Sequence, residues 1–354
     1  MKRKALEAYT HARNYGCRIR EYIYHSMKVV QLENEFLKVS VLADKGADIY
    51  EFIYKPMDMD FMWHSFNGVK RAPSVHTREQ GGGPFLDYYE GGWQELFPNI
   101  SDDCVYMGAP LGVHGEAALP AWDYRINQDE VGGISVLFSL RTARSPYLLQ
   151  RTMSLKGDDP TLYIDESVTN EGAEPLEFMW GHHPAFGPAF LDDSCEIRIA
   201  GDDLLISHMT YNGRPVEGAG ALWPNARIDS ETELDLSKVA PPEAKYVLQY
   251  AVGNMKESRY ELVNHNYGVG FELAWDKEIF PFLWVWALYG GAPYYPWYGR
   301  AYTLALEPWS AVPGNLAKVI EAGNGIRIQP GETIRTWVRA AANDHSGRVT
   351  PKVN

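Results

Sequence analysis

Hydrophobic and polar residues alternate with a period of two along much of the chain, which is typical of half-buried strands. The alternation is clearest in residues 28–54 and 134–168. Turn-forming residues interrupt it at 145–146, 156–160 and 170–172. Helical periodicity is confined to short pieces. The pattern therefore predicts an all-β fold, a large antiparallel β-sandwich or barrel, and does not favour a parallel sheet with alternating helices.

Two further segments carry structural information. Residues 67–110 are rich in glycine, proline and aromatic side chains and lack strand patterning, so we expect a long loop that forms the rim of a binding site. Near the C terminus, the strand-like runs 325–328 and 333–338 flank a turn at 329–332. This arrangement predicts a β-hairpin.

Composition and charge narrow the class of protein. The chain has 354 residues, 45% of them hydrophobic and 22% charged, which is the balance of a globular protein with a full core. We expect residues 1–354 to form a single domain. With 46 acidic and 33 basic residues the formal charge is -13, which disfavours nucleic acid or an anionic membrane surface as a partner.

The cysteines and the N terminus indicate a compartment. Cys17, Cys104 and Cys195 are too few and too scattered for a disulfide framework or a paired zinc motif. No apolar segment follows the basic first residues, and no run approaches the length of a membrane span. We therefore expect a cytoplasmic protein that is not embedded in a membrane.

Acid–base chemistry is concentrated at the ends of apolar runs. The run 178–181 stops at His182 and His183, and Pro184 follows them. Histidine exchanges protons near neutral pH, and neighbouring residues of a strand face opposite sides, so we expect one imidazole to be functional. Glu307 follows the apolar run 302–306, where burial would raise the pKa of its carboxyl group and make it a base.

The order of these short motifs resembles that of the aldose 1-epimerase, or galactose mutarotase-like, family. The resemblance runs from about residue 31 to residue 338. It rests on the following segments, in chain order: the opening hairpins 32–34, 46–49 and 61–63, His114-Gly115 with Trp122 after it, the turn at 170–172, His183-Pro184-Ala185-Phe186, and Glu307-Pro308. Each motif is short, and their shared order carries the resemblance.

The resemblance implies an enzyme that interconverts the α and β anomers of an aldose without a cofactor or a metal. By motif match, Glu307 is the base that takes the proton of the C1 hydroxyl, and His183 is the acid that protonates the ring oxygen. His114 would hydrogen-bond the sugar and help to orient it. His182, on the other face of the strand, is expected to be structural.

Further residues are expected to bind the sugar. Aromatic side chains make flat surfaces for sugar rings, and they form 13% of this chain. An arginine that family members carry before the glycine-rich segment is replaced here by Tyr88-Tyr89-Glu90, and an aspartate of the family has only a neutral polar residue in its neighbourhood. We therefore expect a sugar other than plain galactose, or one that other groups hold. Because the chain has no clear basic cluster, a sugar phosphate is not favoured either. The substrate-binding candidates are Trp93, Gln94, Asn99, Trp286, Gln249 and Arg78.

Three other interpretations stay open at this point. His114 and Glu116 share a strand face, as the ligands of a metal-dependent sugar isomerase or a cupin-like enzyme would. A polysaccharide lyase or a hydrolase on a related fold would place two carboxylates across the bond that is broken. A non-catalytic carbohydrate-binding protein would use the aromatic residues alone and would not need Glu307.

Overall fold

The computed structural model describes residues 16–71, 83–211, 214–215, 222–227, 233–312 and 314–346. Two α-helices are short: α1 is Gly83–Tyr88 and α2 is Leu316–Glu321. The strands are β1 Arg18–Tyr24, β2 Met27–Glu33, β3 Leu37–Leu42, β4 Asp48–Tyr54, β5 Met59–Asp60, β6 Trp93–Leu96, β7 Cys104–Tyr106, β8 Ala109–Leu111, β9 Asp123–Glu130, β10 Gly133–Arg141, β11 Tyr147–Lys156, β12 Thr161–Asn170, β13 Leu176–Phe178, β14 Gly181–Phe186, β15 Cys195–Ile199, β16 Asp203–Tyr211, β17 Arg214–Pro215, β18 Asn225–Arg227, β19 Glu233–Asp235, β20 Tyr246–Gly253, β21 Arg259–Asn264, β22 Val269–Trp275, β23 Phe282–Tyr289, β24 Tyr302–Trp309, β25 Ile326–Ile328 and β26 Thr333–Asp344.

Two large antiparallel sheets pack face to face. The larger has 12 strands in the order β1-β2-β3-β4-β6-β14-β24-β23-β20-β16-β17, with β5 beside β4. The smaller has eight strands in the order β15-β21-β22-β26-β12-β11-β10-β9. Three two-stranded sheets, β7-β8, β13-β25 and β18-β19, complete the described strands. The predicted antiparallel β-sandwich is confirmed, and the expectation of a single domain over residues 1–354 stays a prediction.

The strands of the smaller sheet have the alternating burial that the sequence pattern predicted. In β10, Ile134, Val136 and Phe138 are buried in the core, while the residues between them are partly exposed. β11 and β12 repeat this alternation, and the three strands pair in chain order. One face of this sheet therefore supplies the core, and the other face meets solvent.

The centre of the larger sheet is buried on both faces. All six residues of β14 and the last seven of β24 are buried, because one side of these strands packs against the core and the other lies under loops. All four residues of β6 are also buried, and this strand pairs with β14 and β4. The region 67–110, expected to be a long loop, thus contains a central strand and α1.

The hairpin predicted at 325–338 is wrong. Both runs are strands, but β25 pairs with β13, and β26 lies between β12 and β22 in the smaller sheet. β26 pairs along one edge with β12 and along the other with β22, and both partners are longer than the three-residue β25. These pairings therefore form far more backbone hydrogen bonds than a hairpin with β25 would. No helix within the described residues is long and apolar enough to cross a membrane.

Candidate active site

Four neighbouring strands of the larger sheet bring polar and aromatic side chains together on its outer face, the face turned away from the smaller sheet. β14 carries His183, β24 carries Glu307, β23 carries Trp286 and β20 carries Gln249. Strand register sets this arrangement, because Glu307 lies opposite Trp284, and Trp286 lies opposite Gln249. Residues directly opposite in antiparallel strands share a face.

These side chains open into one cavity of about 480 Å³. Its volume falls within the range of small-molecule sites. The floor is formed by the sheet residues, and the walls come from α1, from the segment 101–114, from the loop 294–297 and from the start of α2. The lining residues include Phe85, Tyr89, Asp102, His114, His183, Gln249, Trp284, Trp286, Tyr294, Tyr295, Trp297, Glu307, Trp309 and Lys318.

Glu307 and His183 form a buried pair at the centre of this cavity. The imidazole Nε2 of His183 lies 3.5 Å from Oε1 of Glu307, and the side chains are 6% and 1% exposed. The indole Nε1 of Trp309 donates a hydrogen bond of 3.0 Å to the other carboxyl oxygen, Oε2. Since Trp309 also stacks on Trp284 with parallel rings 4.7 Å apart, the carboxyl group of Glu307 is held in a rigid setting.

Burial shifts the proton affinities of this pair in opposite directions. Desolvation raises the pKa of Glu307 well above its ordinary value of 4.5, against the smaller effect of the Trp309 hydrogen bond. Desolvation and the neighbouring His114 lower the pKa of His183 to about 3. Both shifts favour the neutral forms of the pair, a carboxylic acid beside a neutral imidazole, over a carboxylate beside an imidazolium.

Tyr89 orients the imidazole of His183 from the other side. Its hydroxyl lies 3.3 Å from Nδ1 of His183, and burial raises the pKa of Tyr89 well above 10, so the hydroxyl stays protonated. The hydroxyl oxygen can accept a hydrogen bond from Nδ1–H, and this tautomer leaves Nε2, the atom that faces Glu307, as the site that takes up and gives up a proton. Tyr89, His183 and Glu307 are thereby connected in one line.

His114 approaches the same cavity from a tight turn. Its Nδ1 donates a 2.8 Å hydrogen bond to the carbonyl oxygen of Ile100, which leaves Nε2 as an acceptor, and burial lowers the pKa of His114 to about 4. The rings of His114 and His183 are 5.5 Å apart. Gly115 has φ +74°, and a Cβ there would lie 2.3 Å from the carbonyl oxygen of Phe97. The glycine after His114 is required by this close approach.

Of the predicted site residues, the structure brings Glu307, His183, His114, Trp286 and Gln249 into the cavity. Arg78 lies outside the described residues.

Trp93, Gln94 and Asn99 are not brought to the cavity. Trp93 lies opposite Pro184 and shares the core-facing side of the sheet, where its indole Nε1 donates to Nδ1 of His182 over 3.3 Å. Gln94 is fully buried and donates to the carbonyl oxygen of Gly91 over 2.6 Å. Register places Trp93 on the core side, whereas Gln94 lies opposite His183 on the outer face and is kept from the cavity by its burial and its hydrogen bond to Gly91.

Asn99 holds the cavity wall together instead. It is fully buried, and its Nδ2 donates to the carbonyl oxygens of Asp102 and Gly112. Its Oδ1 accepts a 2.9 Å hydrogen bond from the backbone of Leu316, in the first turn of α2. One amide thus joins three segments, all of which carry lining residues, and so Asn99 supports the wall of the cavity without contributing to its surface.

Sequence reasoning missed Tyr89 and Trp309. Trp309 follows Glu307 by two residues and therefore had to share its face of β24, so the period of two was a usable signal. Tyr89 reaches His183 from the end of α1, 94 residues away in the chain, and nothing local in the sequence indicates that contact.

His182 belongs to a polar network in the core. Its Nε2 lies 3.0 Å from Oε2 of Glu166 on β12 of the smaller sheet, and the residue is fully buried. Arg151, 1% exposed, ion-pairs with Glu95 over 3.2 Å, and Trp180 donates to the same carboxyl group. The prediction that His182 is structural and faces away from His183 is confirmed by these contacts.

The described side chains that could bind a metal ion are not grouped for it, and Glu116 makes other contacts. Among the described residues, no group of three histidine, cysteine, aspartate or glutamate side chains is arranged to hold a metal ion. Glu116, proposed above as a ligand together with His114, accepts hydrogen bonds from the backbone of Ala143 and Arg144 and from Ser145 Oγ.

The fold is that of galactose mutarotase-like proteins. The structure superposes on a candidate aldose 1-epimerase from Klebsiella pneumoniae with a TM-score of 0.68 and 12% identity, over 93% of this chain and 84% of that one. A galactose mutarotase-like protein from Clostridium acetobutylicum gives a TM-score of 0.62 and 13% identity over 93% of this chain and 99% of that one. At these identities the likeness shows the fold alone.

The family follows from the sequence match. The model of a family described as a domain of unknown function, DUF4432, matches residues 24–340, and the chain belongs to this family. The uncharacterized protein YphB of Escherichia coli is 31% identical over 110 residues, which make up 29% of this chain and 34% of that protein. The chain thus matches about a third of the length of this curated relative.

Proposed function

We propose that the protein is an aldose 1-epimerase that interconverts the anomers of a reducing sugar in the cavity around Glu307. The observation that carries the proposal is the buried His183–Glu307 pair, 3.5 Å apart at the floor of a cavity lined by aromatic and polar side chains. The galactose mutarotase-like fold supports a carbohydrate-related role.

The reaction opens and recloses a cyclic hemiacetal. In the opening step, ionised Glu307 takes the proton of the C1 hydroxyl as the C1–O1 double bond forms. The C1–O5 bond breaks, its electron pair goes to the ring oxygen, and Nε2 of protonated His183 supplies the proton that O5 needs. Rotation about C1–C2 presents the other face of the aldehyde. The reverse proton transfers then close the ring as the other anomer.

The proton balance of the pair suits this cycle. Opening converts a carboxylate and an imidazolium into a carboxylic acid and a neutral imidazole, and closure converts them back. Both states contain the same number of protons, so turnover requires no exchange with solvent. Burial by itself favours the neutral state of the pair. A bound sugar brings hydroxyl groups to the pair, which stabilise the charged state in place of water.

The pH dependence of the reaction follows from these shifts. Activity is lost at low pH when His183 is protonated while Glu307 stays a carboxylic acid, which the His183 pKa of about 3 controls. It is lost at high pH when Glu307 ionises while His183 stays neutral, which the raised pKa of Glu307 controls. We expect kcat/KM to stay level as the pH falls from about 7 to about 5. An acid limb near pH 6.5, the ordinary pKa of histidine, would contradict the buried pair.

Replacing Tyr89 with phenylalanine tests its role as a positioning residue. The hydroxyl holds the His183 tautomer whose Nε2 exchanges a proton, so its loss should lower kcat about 3- to 10-fold with little change in KM. Tyr267→Phe, a change at an exposed tyrosine in the β21–β22 turn, is the matched control. A purely structural role for Tyr89 would lower stability and leave the kcat of the folded protein unchanged.

The proposed function is tested by anomer exchange over a panel of aldoses. Polarimetry or NMR exchange spectroscopy with D-glucose, D-galactose, D-mannose, D-xylose, L-fucose and L-rhamnose should show catalysed interconversion for at least one sugar. The methyl glycoside of that sugar, which has no C1 hydroxyl proton, should be unchanged. Cleavage of the methyl glycoside would indicate a hydrolase, and binding without exchange for every sugar would indicate a carbohydrate-binding protein.

A further inference from the structure

Three tyrosines of one loop are exposed beside the cavity, and we call Tyr294, Tyr295 and Tyr298 the tyrosine platform. Their exposed fractions are 53%, 46% and 61%. Tyr294 and Tyr295 line the cavity that contains Glu307. Single exposed aromatic side chains are ordinary, but two exposed tyrosines in the lining of a cavity, with a third exposed tyrosine in the same loop, form a surface of the kind that binds ligands.

The loop that carries the tyrosine platform is fixed in place. The backbone nitrogens of Trp297 and Tyr298 both donate to the carbonyl oxygen of Tyr294, over 2.9 and 2.8 Å. The hydroxyl of Tyr295 donates a 2.5 Å hydrogen bond to Oδ1 of Asp87 on α1. These contacts join the loop to a second wall of the cavity.

Trp297 anchors the same loop to the floor of the cavity. It is 6% exposed, and its ring centre lies 5.3 Å from that of Trp286 and 5.7 Å from that of Trp63. The platform is therefore preformed, and a ligand that stacks on it meets little cost of ordering the loop.

We propose that the tyrosine platform is a subsite for a second sugar unit, so that the substrate class is oligosaccharides whose reducing-end unit enters the cavity. This inference rests on the proposed function. The apolar face of a sugar ring would stack on the tyrosines, as aromatic rings in carbohydrate sites do. Asp102 and Lys318, which line the same cavity, are suited to hydrogen-bond the hydroxyl groups of the longer ligand.

The test compares a disaccharide with the monosaccharide at its reducing end, for example maltose, cellobiose and lactose with D-glucose. The measured quantity is the ratio of their kcat/KM values for anomer exchange. In Tyr294→Ala and Tyr298→Ala the ratio for the best disaccharide should fall about 3- to 10-fold. Tyr267→Ala, at an exposed tyrosine in the β21–β22 turn, should keep the wild-type ratio. An unchanged ratio in both platform variants overturns the proposal.

A binding arm separates failure of the subsite from failure of the proposed function. Saturation-transfer NMR on the wild-type protein with the same disaccharides reports which unit contacts the protein, whether or not exchange is catalysed. We expect signals from both units, and loss of those from the second unit in Tyr294→Ala. Signals from the reducing unit alone overturn the subsite. Absence of exchange with both units in contact overturns the epimerase and leaves the subsite supported.

Discussion

Replacing Glu307 with glutamine should lower the rate of anomer exchange by about 10²- to 10⁴-fold, the usual contribution of a general acid or base. The amide has nearly the shape of the carboxyl group, and its oxygen can accept the hydrogen bond that Trp309 donates to Oε2. It cannot take the proton of the C1 hydroxyl. The site thus keeps its packing and loses its proton acceptor. The rate is measured by NMR exchange spectroscopy on the best aldose of the panel.

The matched control for this change is Glu278→Gln. Glu278 is exposed on the turn after β22 and does not line the cavity, so this variant carries the same chemical change without the expected effect. Thermal unfolding of both variants shows whether the fold is retained. A Glu307→Gln protein that is folded and exchanges anomers at the wild-type rate would remove Glu307 from the mechanism.

Replacing Arg151 with methionine should lower the free energy of unfolding by about 3–5 kcal/mol, because it leaves a buried carboxyl group without its partner. Arg151 is 1% exposed, ion-pairs with Glu95, donates to the carbonyl oxygen of Ala47 and stacks on Trp122. Burial and the nearby Glu166 already raise the pKa of Glu95 to about 7. Urea denaturation measures the loss.

The sign of the pH dependence provides a second check on Arg151. Without the guanidinium the pKa of Glu95 rises further, so the folded variant holds a proton that the unfolded chain releases above its ordinary pKa of 4.5. The free energy of unfolding therefore falls as the pH rises, and it falls further in the variant than in wild type. The difference in the free energy of unfolding between wild type and Arg151→Met should be larger near about pH 8 than near about pH 5.

Arg141→Met is the matched control for Arg151→Met. Arg141 ion-pairs with Glu171 at the surface, with its side chain 68% exposed, and its loss should leave the unfolding transition unchanged. Equal effects of the two substitutions would mean that the network between the sheets does not stabilise the fold.

The sequence predicted the fold class because the strands of the smaller sheet have one buried face. In β10 and β11 the alternation of buried and partly exposed residues is regular, and it is visible in the sequence itself. β6 has no such alternation because it is buried on both faces, and its four residues therefore resembled part of a loop. The partners of β25 and β26 depend on long-range packing, which a local turn signal does not report.

The catalytic candidates were also predicted unevenly, for a physical reason. His183, Glu307 and His114 occur in short motifs whose order along the chain is recognisable. Trp93 and Gln94 were placed near the sugar by their position in the chain, but register directs Trp93 to the core, and burial with a hydrogen bond to the Gly91 carbonyl keeps Gln94 from the cavity. Tyr89 meets His183 only after α1 packs across the sheet, and such a contact between distant segments leaves no local pattern.

The central claim is that, during ring opening, Glu307 takes the proton of the C1 hydroxyl and His183 gives a proton to the ring oxygen. The most direct test is NMR exchange spectroscopy of the best aldose with wild type, Glu307→Gln and His183→Asn side by side. His25→Asn, a change at an exposed histidine, is the added control. The account predicts strong exchange between the α and β H1 signals for wild type and the control, and near-background exchange for both site variants. Wild-type exchange in both site variants would contradict it.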